Sequence, residues 1–468
     1  MKDDQSANQP NYSHNRHYIG RFHLTVLIFC TVCSGAFGAE ELVASVNPAW
    51  ALILLALTPL LWSLPIILMV SELNSAMPFE GGYYRWVKAT LGGRWGFQEG
   101  WLTMCYTAVD LAIYPVLFVD YLSFFVPSLQ GSGDEQIVET WLLRWMTAII
   151  FIGVAFILQC SGIRAVGNTS LLFTVLIIFP FTVLLGIAVG TRDLTGSLTG
   201  LMKQLSVFPD GGTVAVGLAT VLWLYSGWDN VATYAGEVKG AERSYPWALS
   251  AALILVSSTY LLSVIAGLAI TPDLKFWQES AGWPDIATIA AGKWLGILMT
   301  SAALFSAWTL FNGQILYASR LPMAMASDGW LPSALAQAST RTGAPVVALA
   351  LTCGVAALFA VLPFGDLVVT EMLLYFFALA LEMCALIVLR IKRMPQVTAE
   401  FRIPFGLPGV FLMFTSPMIL LSIVTIWSFR QADSGSLQLG IVAILFLSGV
   451  IMGRRKFQRK HPSPPNPD

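Results

Sequence analysis

Twelve stretches of this chain stay apolar for about the twenty residues that a helix needs to cross a bilayer. They run 24–46, 49–73, 95–126, 140–160, 166–190, 213–238, 246–270, 292–318, 345–363, 367–390, 409–429 and 436–453. A chain patterned this way is expected to fold as an all-α membrane protein with 12 transmembrane helices. Composition agrees: 56% of residues are hydrophobic and 11% are charged, against roughly 25% charged in a soluble domain. Too few polar side chains exist to cover a surface of this size, so lipid is the solvent. The connections are short and leave no room for a second soluble domain. The net charge of −1 projects no field toward nucleic acid.

Lys and Arg set the orientation. With the N-terminus inside, 20 of the 26 basic residues fall in cytoplasmic tails and loops. This bias predicts both termini in the cytoplasm and an even number of spans. A rival reading takes "HNRHYIGRFHLTVLIFCTVCSGAFGA" as a cleaved signal peptide. Cleavage would reverse the charge bias of every later loop, which argues against it.

The first span contains an interruption. In "LIFCTVCSGAFGAEELVASV" (27–46) the apolar run meets Ser34, Gly35, Ala36 and Gly38, then Glu40 and Glu41. Span six does the same, breaking at Tyr225, Ser226, Gly227 and Trp228 with Asp229 following. Free backbone groups at membrane depth are tolerated only inside protein or along a cavity. Two breaks five spans apart suggest an inverted repeat, 1–5 against 6–10, with both broken helices meeting around a midplane substrate site. The plainer alternative is that small residues let helices pack closely and that Asp229 is an N-cap.

Further stretches carry a resemblance. They are "SELNSAMPFEGGYYRWVKATLGGRWGFQEGW" (71–101), "AGEVKGAERSYPWAL" (235–249) and "MASDGWLPSALAQASTRTGAPVVAL" (325–349). They resemble corresponding regions of the amino acid–polyamine–organocation superfamily of secondary transporters. "SGAFGAEE" (34–41), "VDLAIYPVLFVDYL" (109–122) and Trp228-Asp229 are similar to its plant-type polyamine/proton symporter branch. The resemblance implies a five-plus-five, leucine-transporter-like fold with two added helices, and alternating access. It divides the chain into a tail (1–23), a transport core (24–390, with halves 24–190 and 213–390), two added helices (391–453) and a second tail (454–468). The chain departs from many amino-acid members in lacking their Gly-Ser-Gly break. It also lacks the span-five lysine of some proton-coupled members, whose place falls near Ile177.

Ionisable groups inside a membrane are costly and default to functional candidates. Well within the spans stand Glu40, Glu41, Asp110, Asp120, Asp229, Glu371 and Glu382, with no Lys or Arg at comparable depth. Uncompensated carboxylates there call for a proton or a cationic ligand. Asp110 lies between Tyr106 and Tyr114 at four-residue steps on one helix face and is a binding or proton-relay candidate. Glu371, Tyr375 and Glu382 share a face of span ten and are candidates for a proton relay or gate. Asp120 and Glu72 read as structural. Trp223, Tyr225 and Trp228 bracket the second break and could wall an amine site by cation–π contact.

The reading is a secondary transporter, not an enzyme, moving a small organic cation, a polyamine or basic amino acid, across the plasma membrane with protons. A neutral amino-acid permease, an exchanger and a transporter-like sensor are the alternatives. A sensor would append a soluble signalling domain, and the tails are short. The CxxC at Cys30 and Cys33 lies in an apolar run without a second pair and reads as packing thiols. The four histidines lie near the termini, so no metal and no cofactor is expected. The expected partners are the amine or amino-acid substrate, protons and lipid, with the chain a monomer or homodimer.

Overall fold

The computed structural model describes residues 20–460, apart from 79–81, 131–136, 161–169, 193–204, 206–210, 233–237, 239, 280, 281, 340, 341, 393–399 and 431–434. Most of the two expected tails, and the inner half of span six beyond Ala232, lie outside the described residues.

The described secondary structure is helical. Span one is two helices, α1 (Arg21–Val32) and α2 (Ala39–Val46), separated by an irregular segment. Ser34, Gly35 and Gly38 there take positive φ values of 44°, 103° and 89°, which glycine adopts freely and serine rarely. Asn47 then turns the chain. Its Oδ1 accepts from the Trp50 amide at 3.0 Å and Pro48 opens α3 (Pro48–Thr58), an N-cap followed by a proline already set for helix. A π-turn at Pro59–Ser63 links α3 to α4 (Leu64–Ala76). There follow α5 (Gly82–Leu91), α6 (Gly93–Leu122), α7 (Ile137–Cys160) and α8 (Ser170–Thr191).

The second half starts with α9 (Gly211–Leu224), which ends at the second break. After it come α10 (Ala241–Ile270), α11 (Leu274–Glu279), α12 (Trp283–Ala291), α13 (Lys293–Ala318), α14 (Arg320–Ser327), α15 (Val346–Phe359), α16 (Phe364–Lys392), α17 (Gly406–Arg430) and α18 (Gly435–Lys460). Nine helices among the described residues are long and apolar enough to cross a membrane. The apolar parts of α1, α9 and α15 are shorter. For α1 and α9 the reason is the break itself, which divides a run that would otherwise suffice.

The long helix α6 is the axis of the molecule. It packs against α5, α7, α13, α15, α16 and α18. Both broken segments sit together, α2 against α9, with α1 against α10. The outward faces are apolar rather than polar: Ile150, Ile157, Leu358, Leu412 and Phe429 are all exposed, as suits a lipid-facing surface.

Candidate substrate site

The two breaks border one cavity. Its walls come from α1 (Thr31, Val32), Cys33 and Phe37, from α6 (Tyr106, Asp110, Tyr114), from α9 and the break after it (Trp223, Ser226, Asp229), from α13 (Ser306, Gln314) and from α16 (Glu371, Tyr375). Three carboxylates, Asp110, Asp229 and Glu371, converge from three different helical segments. No basic side chain lines the cavity among the described residues. The space is narrow, leaving about 40 Å³ for the centres of water-sized spheres. At roughly 10–15 Å³ each this admits a few waters, so an organic ligand requires the walls to part.

The three acids are held differently. Asp110 is well supplied with donors: Trp223 Nε1 donates to its Oδ1 at 3.0 Å, and Tyr114 Oη donates to its two oxygens at 3.1 and 3.2 Å. Gln314 Nε2 in turn donates to Tyr114 Oη. Asp229 is the opposite case. It is buried, and neither carboxylate oxygen has a hydrogen-bond partner among the described residues. The N-cap reading of Asp229 falls on a helix that lies, beyond Ala232, outside the described residues. What closes the turn is the Asp229 carbonyl, which accepts from Ala232 N at 2.9 Å. Glu371 is buried with Oε2 unpartnered. A buried polar group costs free energy unless it is bonded, and a buried charge costs more. These oxygens keep an unmet demand for a donor or a proton among the described residues.

The first break reaches the cavity through Cys33 and Phe37 rather than through its expected residues. Ser34, Gly35, Ala36 and Gly38 do not line the cavity. Their backbone is stitched to neighbours instead. Ser306 Oγ donates to the Ser34 carbonyl at 2.6 Å, Trp283 Nε1 to that of Ala36 at 2.8 Å and Cys33 Sγ to that of Gly35 at 3.1 Å. The Gly38 amide donates to Tyr121 Oη at 3.2 Å. Tyr121 Oη donates to Glu40 Oε1 at 2.5 Å, so Glu40 stands behind the cavity wall, buried. Glu41 is exposed and takes no part in the wall. Tyr225 and Trp228 also leave the cavity: Tyr225 Oη donates to the Leu55 carbonyl at 3.0 Å and Trp228 Nε1 to that of Tyr225 at 2.6 Å. Glu382 is fully buried but lies outside the lining. Of the three aromatics expected to wall the site, Trp223 alone does so.

A model of the amino acid permease family matches residues 19–453. The chain belongs to the amino acid permease family. Among its relatives, "Polyamine transporter PUT1" of Oryza sativa subsp. japonica is 32% identical over 435 residues, covering 92% of this chain and 76% of that protein. "Polyamine transporter RMV1" of Arabidopsis thaliana is 31% identical over 432 residues, 92% of this chain and 82% of that protein. "Cationic amino acid transporter 4, vacuolar", also of Arabidopsis thaliana, is 27% identical over 287 residues, 59% of this chain and 46% of that protein. The permease is thus a multi-pass membrane transporter rather than an enzyme.

The acids of this permease read as structural are so placed. Asp120 is paired with Arg144. Glu72, buried, takes Arg390 Nε at 2.5 Å and Nη2 at 2.6 Å and the Ile403 amide at 2.8 Å. In the loop after α14, Asp328 accepts from Lys88 Nζ and Tyr84 Oη, both at 2.6 Å, and so ties that loop to α5. Burial alone would raise the Asp328 carboxyl, but Lys88, Tyr84 and Arg85 together hold it below its ordinary value. Sequence reasoning missed Gln314 and Tyr121 of the permease's site. Gln314 offered a signal, one of two amides, with Asn312, deep in an apolar run. Tyr121 offered none apart from thirteen tyrosines in the chain.

Proposed function

We propose that this permease is a secondary active transporter of small organic cations, polyamines or basic amino acids, working by alternating access with proton coupling. Within this reading it has twelve spans in a five-plus-five inverted repeat plus two, in the plasma membrane, with both termini cytoplasmic. The observation that carries it is the convergence of Asp110, Asp229 and Glu371 on one cavity between two helix breaks, with no basic residue lining it among the described residues. A zwitterion's carboxylate would face three acids there and find only neutral donors among the described residues, whereas an ammonium group finds charged acceptors. The roles divide by hydrogen bonding. Asp110, supplied with donors by Trp223 and Tyr114, stays ready as an anion for the substrate's cation. Asp229 and Glu371, bare and buried, exchange a proton for a ligand. Trp223 and Tyr375 supply aromatic faces. The names of the relatives from rice and Arabidopsis support the polyamine side of this reading.

The test is uptake into proteoliposomes from a mixed panel of polyamines and amino acids under an imposed pH gradient. Concentrative uptake of cationic substrates that an uncoupler abolishes is the expected result. Undiminished accumulation with sodium present and the proton gradient dissipated would overturn the coupling, and preference for neutral amino acids would overturn the substrate class.

A further inference from the structure

Two buried carboxylates outside the cavity belong to a pattern. On α6, Asp110 is preceded by Tyr106 four residues back and by Glu99 seven further. On α16, Glu371 is followed by Tyr375 four residues on and by Glu382 seven further. The two helices carry the same acid–tyrosine–acid stripe in opposite directions, and eleven residues is close to three full turns, so each stripe keeps to one face. The stripes meet. Asp110 is an electrostatic neighbour of Glu371, and Glu99 of Glu382. Between them the Tyr106 and Tyr375 rings stand 5.2 Å apart, edge to face. Asp229 neighbours Glu371, Glu382 and Glu99 alike.

The far rung is unsatisfied. Glu99 and Glu382 are fully buried. Glu99 Oε1 accepts from Thr103 at 2.7 Å, but Glu99 Oε2 and both oxygens of Glu382 have no partner among the described residues. Independently of the acids, the hydroxyls of Tyr106 and Tyr375, buried between the rungs, are also unpartnered. A second set of unpartnered acceptors, with no basic side chain paired to them among the described residues and with two unpartnered tyrosine hydroxyls beside them, marks a second place for a cation. Three turns of helix separate the rungs by about 16 Å. An extended linear tetraamine has a comparable length, and a diamine covers less than half of it.

We propose that Glu99 and Glu382 form a second ammonium site, and that the two mirrored stripes bind a linear tri- or tetraamine end to end, one terminal ammonium at Asp110–Glu371, the inner ammonium at Asp229 and the other terminus at Glu99–Glu382. The inference rests on the cation reading of the central cavity and adds a measure of substrate length to it. The Tyr106–Tyr375 ring contact closes the track when it is empty and parts around the chain of methylenes.

The experiment is calorimetric binding of putrescine, spermidine and spermine to the purified full chain, wild type, Glu99→Gln and Glu382→Gln. Wild type should bind spermine at least tenfold tighter than putrescine, with spermidine between. Each Gln variant should collapse that spermine-to-putrescine ratio by about tenfold. A wild type with equal affinity for all three overturns the track without recourse to any variant. So does a ratio that survives in both variants, the outcome expected if the far rung holds only a proton. Failure of wild type to bind any of the amines would instead sink the cation reading of the central cavity, and the track with it.

Discussion

Asp229→Asn separates binding from folding in one substitution. The carboxylate is buried and neither oxygen has a hydrogen-bond partner among the described residues, so the neutral amide of the same shape removes a buried acid at little cost to the scaffold. The turn survives, because its closing bond uses the Asp229 backbone carbonyl. A hydrogen bond between this carboxylate and an ammonium is worth roughly 1.5–3 kcal/mol, so losing it should weaken cationic substrates roughly tenfold to 150-fold. The thermal midpoint of the empty protein should stay level or rise. Asp110→Asn is the contrast. Trp223 and Tyr114 both donate to Asp110, and exchanging their charge-assisted bonds for neutral ones should cost about 1–2 kcal/mol of stability. The assay pairs spermidine binding with melting of the purified proteins in one detergent. Undiminished affinity in Asp229→Asn, or a midpoint below that of Asp110→Asn, would refute the claim that these two acids do different work.

Arg390→Ala should cost roughly 3–5 kcal/mol by stranding Glu72 in the interior, whereas Arg390→Met with Glu72→Gln should cost clearly less; chemical or thermal melting ranks the two. Gly217→Ala should be destabilised by about 1–3 kcal/mol, because the added methyl on α9 would fall 2.0 Å from Val46 Cγ1 on α2, and adding Val46→Ala should recover most of the loss. The Asp328 carboxyl sits below its ordinary value, so its tie to α5 stabilises the fold above the unfolded carboxylate value of about 4 and fades as pH falls through the lower folded value. Amide exchange along 82–91 should therefore rise only under acid conditions, and Lys88→Met should move that rise to higher pH. A periplasm-active phosphatase fused within 271–285 should be active, and a C-terminal fusion silent.

The helical architecture was legible because lipid leaves so few choices. Apolar runs mark helices wherever they fall, and helices stand at all twelve runs. The breaks were legible too, since Ser34, Gly35 and Gly38 interrupt a run that has no other reason to stop. What could not be read was direction. Glu40 and Glu41 are adjacent in sequence, yet one turns inward to Tyr121 and the other to the surface. Tyr225 and Trp228 flank the break but direct their polar atoms at backbone carbonyls. Helical spacing gave the shared face of Asp110 and Tyr114 correctly. The donor that fixes Asp110, Trp223, comes from a helix 113 residues away, and no local pattern announces it. Glu99 stayed silent because it stands near the start of its run, where an acid is ordinary.

The stitching of the first break also bears on speed. Ser306, Trp283 and Tyr121 each hold one backbone group of residues 34–38, and Trp223 clasps Asp110 from the second break. The first three bonds come from α13, α12 and α6 and the fourth from α9, so undoing one leaves the others closed. The arrangement behaves as a lock with several tumblers, which opens only when all lift together. Three such bonds at roughly 0.5–1.5 kcal/mol each hold the segment with roughly 1.5–4.5 kcal/mol, small enough for the microsecond-to-millisecond motions of whole helices to clear. Under the alternating-access reading proposed above, such a lock would keep the midplane shut against leak and still let the permease turn over without a large outside force.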